Sequence, residues 1–161
     1  MEPKLLALKL FLDELGVDSK IETFDDRKRV QKAVYLGQIA GVDLGFRFGW
    51  YIRGPYAPSL TEDYFALADA MAAGNDADTA GKTLKKSLRD KLAAVRPALT
   101  VPSDVDLPQD DWLELLSSLH FLQRVSKYDR ETARQMIRQQ KPHLKEYLDH
   151  AERVLESTPP L

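Results

Sequence analysis

The chain has no cysteine. That absence removes disulfide scaffolds, zinc–thiolate sites, iron–sulfur centres and cysteine nucleophiles together, and it fits a reducing compartment. Histidine is nearly as scarce: His120, His143 and His150 are the whole supply. None of them stands in the H-E-x-x-H pattern that sets two metal ligands and a base on one helical face. The eight glycines form no Walker loop, dinucleotide fingerprint or nucleophile elbow. Long apolar runs are missing too, so nothing here is long enough to span a bilayer. The opening MEPKLLALKLFLDEL carries acids at Glu2, Asp13 and Glu14, where a signal peptide has a basic lead and a small-residue cleavage pattern. A soluble cytoplasmic protein with no membrane partner is the expectation. An excess of one charge is lacking as well, since the formal net charge is -2. That balance argues against a strongly basic nucleic-acid binder and leaves local patches open.

What the chain does have is a strong helical pattern. With 43% hydrophobic and 30% charged residues over 161 positions, it has the composition of one globular domain with a sizeable core. Leu5, Leu8, Leu12 and Leu15 mark one face of a first helix that Gly16 ends. Asp25 or Asp26 caps a second, with Val30, Ala33, Val34 and Leu36 inward and Arg27, Lys28, Gln31, Lys32 and Gln38 on the opposite side. A third follows Ser59; a fourth carries Leu84, Leu88, Leu92 and Val95 and stops at Pro97; a fifth runs from Trp112 through Leu122. Between the last two, PALTVPSDVDLPQD is the longest irregular stretch and is expected to wrap the domain. Asp129 caps a short sixth helix, and Pro142 suits the first turn of a final one. The expected fold is mainly α: a compact multi-helix domain over residues 1–156 with a small β-hairpin or short sheet. Residues 157–161 are expected to form a flexible tail.

The exception to the helical pattern is Phe46–Leu60, FRFGWYIRGPYAPSL, which gathers aromatics, two arginines and a Gly-Pro step. Alternation puts Phe46, Phe48, Trp50 and Ile52 on one strand face and Arg47, Tyr51 and Arg53 on the other. Gly54-Pro55 is expected to turn the chain, Ser59-Leu60-Thr61-Glu62 to form a capping box, and Ser19–Thr23 to supply a second strand. Tyr51, Arg53 and Tyr56 are then candidate interaction residues, because Tyr and Arg combine large contact area with charged hydrogen bonding. The alternative is that they only brace the fold, and both roles are compatible.

Two basic stretches, Lys82–Arg96 and Arg124–Lys145, stand against few acids. Arg130, Arg134 and Arg138 share one side of the sixth helix, spaced to grip phosphates or an acidic protein surface. The plainer reading is an ordinary solvated face. His143, Glu146 and His150 lie along one helical face without a recognised metal spacing, and His120 sits in a leucine-rich helix as a packed residue. Asp104, Asp106, Asp110 and Asp111 lack the ligand spacing of a calcium loop. No catalytic, metal or cofactor site is expected from these residues.

The stretch Arg29-Val30-Gln31-Lys32-Ala33-Val34-Tyr35-Leu36, followed by GVDLGFRFGWYIRGPYAPSL, resembles the YwgA-like family and the wider Panacea (SocA-like) antitoxin-associated group. The matching positions are Gln31, Lys32, Tyr35 and Leu36, then Tyr51, Gly54, Pro55, Tyr56, Pro58 and Leu60. Ile52-Arg53 before the Gly-Pro step departs from the family pattern, and the C-terminal half carries no familiar toxin-neutralising motif. The resemblance implies a small, mostly helical prokaryotic regulator. It makes the expected function a non-enzymatic protein-interaction or antitoxin-like adaptor whose partner is a toxin, a defence component or another regulator. The alternative is a nucleic-acid-binding regulator using the basic helical faces, with a small hydrolase or nuclease ranked below both.

Overall fold

Pro3 takes the first helical position, where its missing N–H costs nothing, and opens α1, Pro3–Leu15. Gly16 at φ +70° ends it: its N–H donates to the Asp13 carbonyl and that of Val17 to the Leu12 carbonyl. The computed structural model describes all 161 residues. Helix α2, Phe24–Ile39, is capped by Thr23 rather than by an aspartate. Thr23 Oγ1 accepts from the Asp26 N–H at 3.0 Å and the Asp26 carboxylate accepts from the Thr23 N–H at 3.1 Å, a reciprocal capping box. Because residues 19–23 lead into this cap, they are not the second strand.

The sheet is instead a hairpin. β1, Gly49–Tyr51, pairs antiparallel with β2, Gly54–Tyr56, in the register Gly49 to Tyr56, Trp50 to Pro55 and Tyr51 to Gly54. Gly54-Pro55 therefore lies in a strand, and Ile52-Arg53 makes the turn. Neither Ile52 nor Arg53 has positive φ; Gly54 at φ +90° completes the reversal. The strand is shorter than alternation suggests. Leu44 to Phe46 run irregularly because the Gln38 side chain takes their backbone: Oε1 accepts from the Leu44 and Phe46 N–H groups and Nε2 donates to the Phe46 carbonyl. Phe46, Phe48 and Trp50 pack against the core as expected, whereas Ile52, at the turn, is 87% exposed.

α3, Pro58–Ala72, starts at a proline behind Ala57, so Ser59–Glu62 are helical and form no capping box. A short 3-10 turn, Asn75–Thr79, precedes α4, Lys86–Leu99. Pro97 falls inside the last turn of α4 and does not end it. Buried Ala98 and Leu99 extend the packed face beyond Val95 to the end of the helix. α5, Gln109–His120, is buried at every position from Trp112 onward and forms the axis of the domain. It continues as a π-helical turn, Phe121–Val125. Asp129 caps α6, Arg130–Gln140, by accepting from the Thr132 N–H. Pro142 opens a 3-10 segment, Pro142–Tyr147, and α7 covers only Leu148–Glu156.

The result is a mainly α domain of seven helices with one two-stranded antiparallel sheet. Its core joins α1, α2, α4 and α5 to the C-terminal helices. The last residues pack rather than fray. Thr158 Oγ1 donates to the Val154 carbonyl, and Leu161 is buried in the core cluster. No helix is long and apolar enough to cross a membrane.

Candidate functional site

An amphipathic helix normally turns its polar face to water, but α2 presses part of its polar face against α5 and the hairpin. Lys28, Gln31 and Lys32, opposite the apolar face in sequence, are all buried. Burial obliges each to find a partner. The Gln31 amide does so twice at one residue, donating to the Ala57 carbonyl at 3.0 Å and accepting its N–H at 2.9 Å. Lys32 Nζ donates to the Pro55 carbonyl at 2.6 Å. Three residues along, the Tyr35 hydroxyl meets His120 Nδ1 at 2.7 Å. Gln31 and Lys32 of α2 thus satisfy backbone groups of Pro55 and Ala57 in and just after β2, while Tyr35 ties the helix to α5.

Below this unit lies a buried ionic cluster. Glu114 of α5 is fully buried and bridges two ammonium groups, Lys28 Nζ at 2.9 Å and Lys141 Nζ at 2.8 Å. Lys28 also meets Asp110 at 3.1 Å and Asp111 at 2.6 Å. Lys141 donates to the Ile52 carbonyl at 2.7 Å and lies over the Trp50 ring. Burial alone would raise Glu114, but Lys141 and Lys28 outweigh it and hold the carboxyl below its ordinary range. Burial likewise works against charge on Lys28, yet its hydrogen bonds to the Asp111 and Glu114 carboxylates hold its pKa above the usual lysine value. For Lys32 burial wins, with Lys141 and Lys28 adding repulsion, and its pKa falls to about 7.

The glycine of the hairpin is fixed by contact as well as by conformation. A Cβ on Gly54 would sit 2.3 Å from Ser118 Oγ, a buried hydroxyl with no hydrogen-bond partner. The backbone of β2 reaches α5 only because residue 54 has no side chain.

On the outer side of the hairpin is a cavity of about 400 Å³ between α2, α3 and the turn. Buried Gln31, Lys32 and Tyr64 line its inner part; exposed Phe24, Tyr51, Ile52 and Phe65 surround it. Tyr51 and Tyr56 pack edge-on at 5.1 Å, the Tyr56 hydroxyl is 2.6 Å from Thr61 Oγ1, and the Arg53 guanidinium lies 5.7 Å from the Phe24 ring centre. Tyr51, Arg53 and Tyr56, the residues singled out in the sequence, thus share one cavity.

Arg130, Arg134 and Arg138 are elsewhere, on α6. Arg130 and Arg134 both bind Glu152, at 2.8 and 2.6 Å; Arg134 also holds Asp149 and Arg138 meets Glu131. Acids from α7 and from α6 itself therefore answer this basic stripe within the chain. The helical face of His143, Glu146 and His150 does not form, because residues 142–147 are 3-10. His150 binds Asp104 at 2.9 Å. His143 instead approaches Asp111 and Glu114, with ligand atoms within 4.8 Å of one another. Lys28 and Lys141 already occupy those carboxylates, so a cation there would meet two ammonium groups.

Sequence reasoning missed Glu114, Lys141, Phe24 and Phe65 as parts of this site and set Lys28 and Lys32 on the outward side of α2, although both are buried. One signal was present: Glu114 interrupts the apolar run Trp112–Leu116, and a charge inside an apolar run must be paired or exposed. Nothing in the sequence says which lysines pair it.

His120 is the clearest pH-sensitive group. Burial, aided by Arg124, lowers its pKa to about 4, so at neutral pH the ring is uncharged and its hydrogen bond with the Tyr35 hydroxyl joins two neutral groups. Burial raises the pKa of Tyr35, which keeps that hydroxyl protonated. Between pH 6.5, the ordinary histidine value, and about 4, the unfolded chain binds the proton and the folded chain does not. Stability therefore falls as pH drops through this window, by roughly 3 kcal/mol from this residue. Urea unfolding of the wild type and His120→Gln between pH 7 and 4.5 tests it; the variant should show the flatter pH profile.

No family model, curated protein or solved structure matches this chain.

Proposed function

We propose that this chain is a non-enzymatic protein-interaction module, an antitoxin-like regulatory adaptor of a prokaryotic toxin or defence system, that docks its partner at the hairpin cavity. The observation that carries this reading is the clustering of exposed apolar side chains. Of the six large hydrophobics exposed on the surface, Phe24, Tyr51, Ile52 and Phe65 all line this one cavity. Scattered exposed apolar residues need no explanation, but a concave group of them beside polar anchors is the usual form of a recognition site.

The polar groups within the cavity favour binding over chemistry. Gln31 and Lys32 are committed to hairpin backbone and Tyr56 to Thr61, so the site is braced and presents a rigid shape. Rigidity limits the ordering cost of association. The resemblance to the YwgA-like and Panacea groups supplies the antitoxin part of the proposal, and the mechanism is occlusion or delivery of the bound partner. Internal pairing of Arg130, Arg134 and Arg138 weighs against a nucleic-acid site on α6, since a phosphate there would compete with Glu152, Asp149 and Glu131.

The test is quantitative affinity capture of the tagged protein from its own cells at two salt concentrations, with nuclease treatment. A stoichiometric protein partner should survive nuclease and be lost in a Tyr51→Ser/Phe65→Ser variant whose thermal midpoint is unchanged. It should be retained by Arg138→Gln, outside the cavity. Equal capture by the cavity variant, or recovery of nucleic acid alone, would refute the reading.

A further inference from the structure

The cavity has an unusual charge character for a chain of net charge -2. Arg27, Lys28, Lys32 and Arg53 line it, and no aspartate or glutamate does. Three acids that neutralise Lys28 all lie on α5, outside the lining. Arg27 donates to the Ile21 and Glu22 carbonyls and Arg53 lies over the Phe24 ring; neither reaches a carboxylate of its own chain. Two guanidinium groups thus stand beside an aromatic surface with no acid opposite them. Their planar, forked donors match a carboxylate, while Tyr51 and Phe65 offer a face for a large apolar side chain.

We propose that the cavity receives a short acidic segment of a partner protein, an aspartate or glutamate next to a large apolar residue, with Arg53 and Arg27 as its carboxylate-binding groups. This rests on the interaction-module reading and specifies its partner. The carboxylate enters near Arg53, whose guanidinium stays within reach of solvent, and the apolar neighbour fills the space between the Tyr51 and Phe65 rings. A nucleic acid, the other ligand that combines negative charge with flat apolar surfaces, needs an extended basic track for its backbone. The arginines of α6 are paired within the chain, so they offer a phosphate backbone no free track beside the cavity.

Selection from a phage-displayed random-peptide library on the intact chain, after subtraction on Tyr51→Ser/Phe65→Ser, tests this. Surviving peptides are expected to place Asp or Glu within about two positions of Phe, Trp, Tyr or Leu. Synthetic versions should lose roughly tenfold or more in affinity when the acid becomes its amide, and similarly on wild-type peptide with Arg53→Gln. Arg53 is exposed, so the thermal midpoint of that variant should not move. Neutral or basic peptides that bind wild type and not the cavity variant would overturn this inference while leaving the interaction reading standing. Peptides failing to survive subtraction would overturn both. Binding of a labelled oligothymidylate that Arg53→Gln abolishes would make the ligand a nucleic acid and overturn the acidic-segment assignment.

Discussion

Glu114→Ala is expected to destabilise the protein by about 3–5 kcal/mol, the cost of leaving a buried charge without its partner. Glu114 is fully buried between Lys28 and Lys141. Lys28 keeps Asp110 and Asp111 after the substitution, so the damage falls on Lys141, which has no other carboxylate. Burial already lowers the pKa of Lys141 against the pull of Glu114; without that pull the pKa falls further. The folded variant then holds its lysine proton less tightly than the unfolded chain does. Its deficit should therefore be greatest at low pH and shrink as pH rises and the amine goes neutral. Glu114→Leu/Lys141→Met should recover much of the loss, because both members of the pair leave together. Urea midpoints at constant m value measure each corner of the cycle. Additive single effects, each below about 1 kcal/mol, would mean that the pair contributes little and that water reaches it.

Gly54→Ala should cost about 3 kcal/mol or more, from two separable sources. A non-glycine residue at φ +90° carries backbone strain on the order of 1–3 kcal/mol. The added Cβ, 2.3 Å from Ser118 Oγ, forces β2 away from α5, and overpacking of this kind adds roughly 1–3 kcal/mol. Ser118→Ala separates the two. It removes the clashing oxygen and leaves Ser118 Cβ in ordinary contact at 3.6 Å. It also removes a buried hydroxyl that has no partner, so alone it should be neutral or stabilising by up to about 1 kcal/mol. The double variant should recover the steric part and retain the backbone part. If Ser118→Ala fails to rescue Gly54→Ala at all, the cost is conformational and the close approach of the hairpin to α5 is not the reason for the glycine.

Much of this structure was legible in advance. The leucine spacing of α1, the Gly16 stop, the Asp129 cap and the leucine face of α5 are local: each depends on residues within one or two turns, where period and capping chemistry decide the outcome. The clustering of Tyr51, Arg53 and Tyr56 was legible too, since a tight turn brings near neighbours together. The errors have one pattern. Ser19–Thr23 looked like a strand partner, but the strand paired with its own neighbour across a two-residue turn. Pro97 looked like a stop and Pro142 like the first turn of the last helix, but α4 runs on to Leu99 and Pro142 opens a 3-10 segment ahead of α7. Residues 157–161 looked frayed, yet Leu161 found a place in the core.

By itself, then, the sequence determined a cysteine-free, mainly helical domain, most of its helix cores, and an aromatic segment that breaks the helical pattern. Those properties follow from composition and short-range periodicity. Only the tertiary structure decided that the polar side of α2 faces inward, that Glu114 joins Lys28 to Lys141 across more than eighty residues of chain, and that Phe24 and Phe65 complete a cavity with the hairpin. Helical period states which side chains share a face. Whether that face meets water, a carboxylate or a backbone carbonyl depends on which element packs against it, and buried polar groups must take whatever partner that packing supplies.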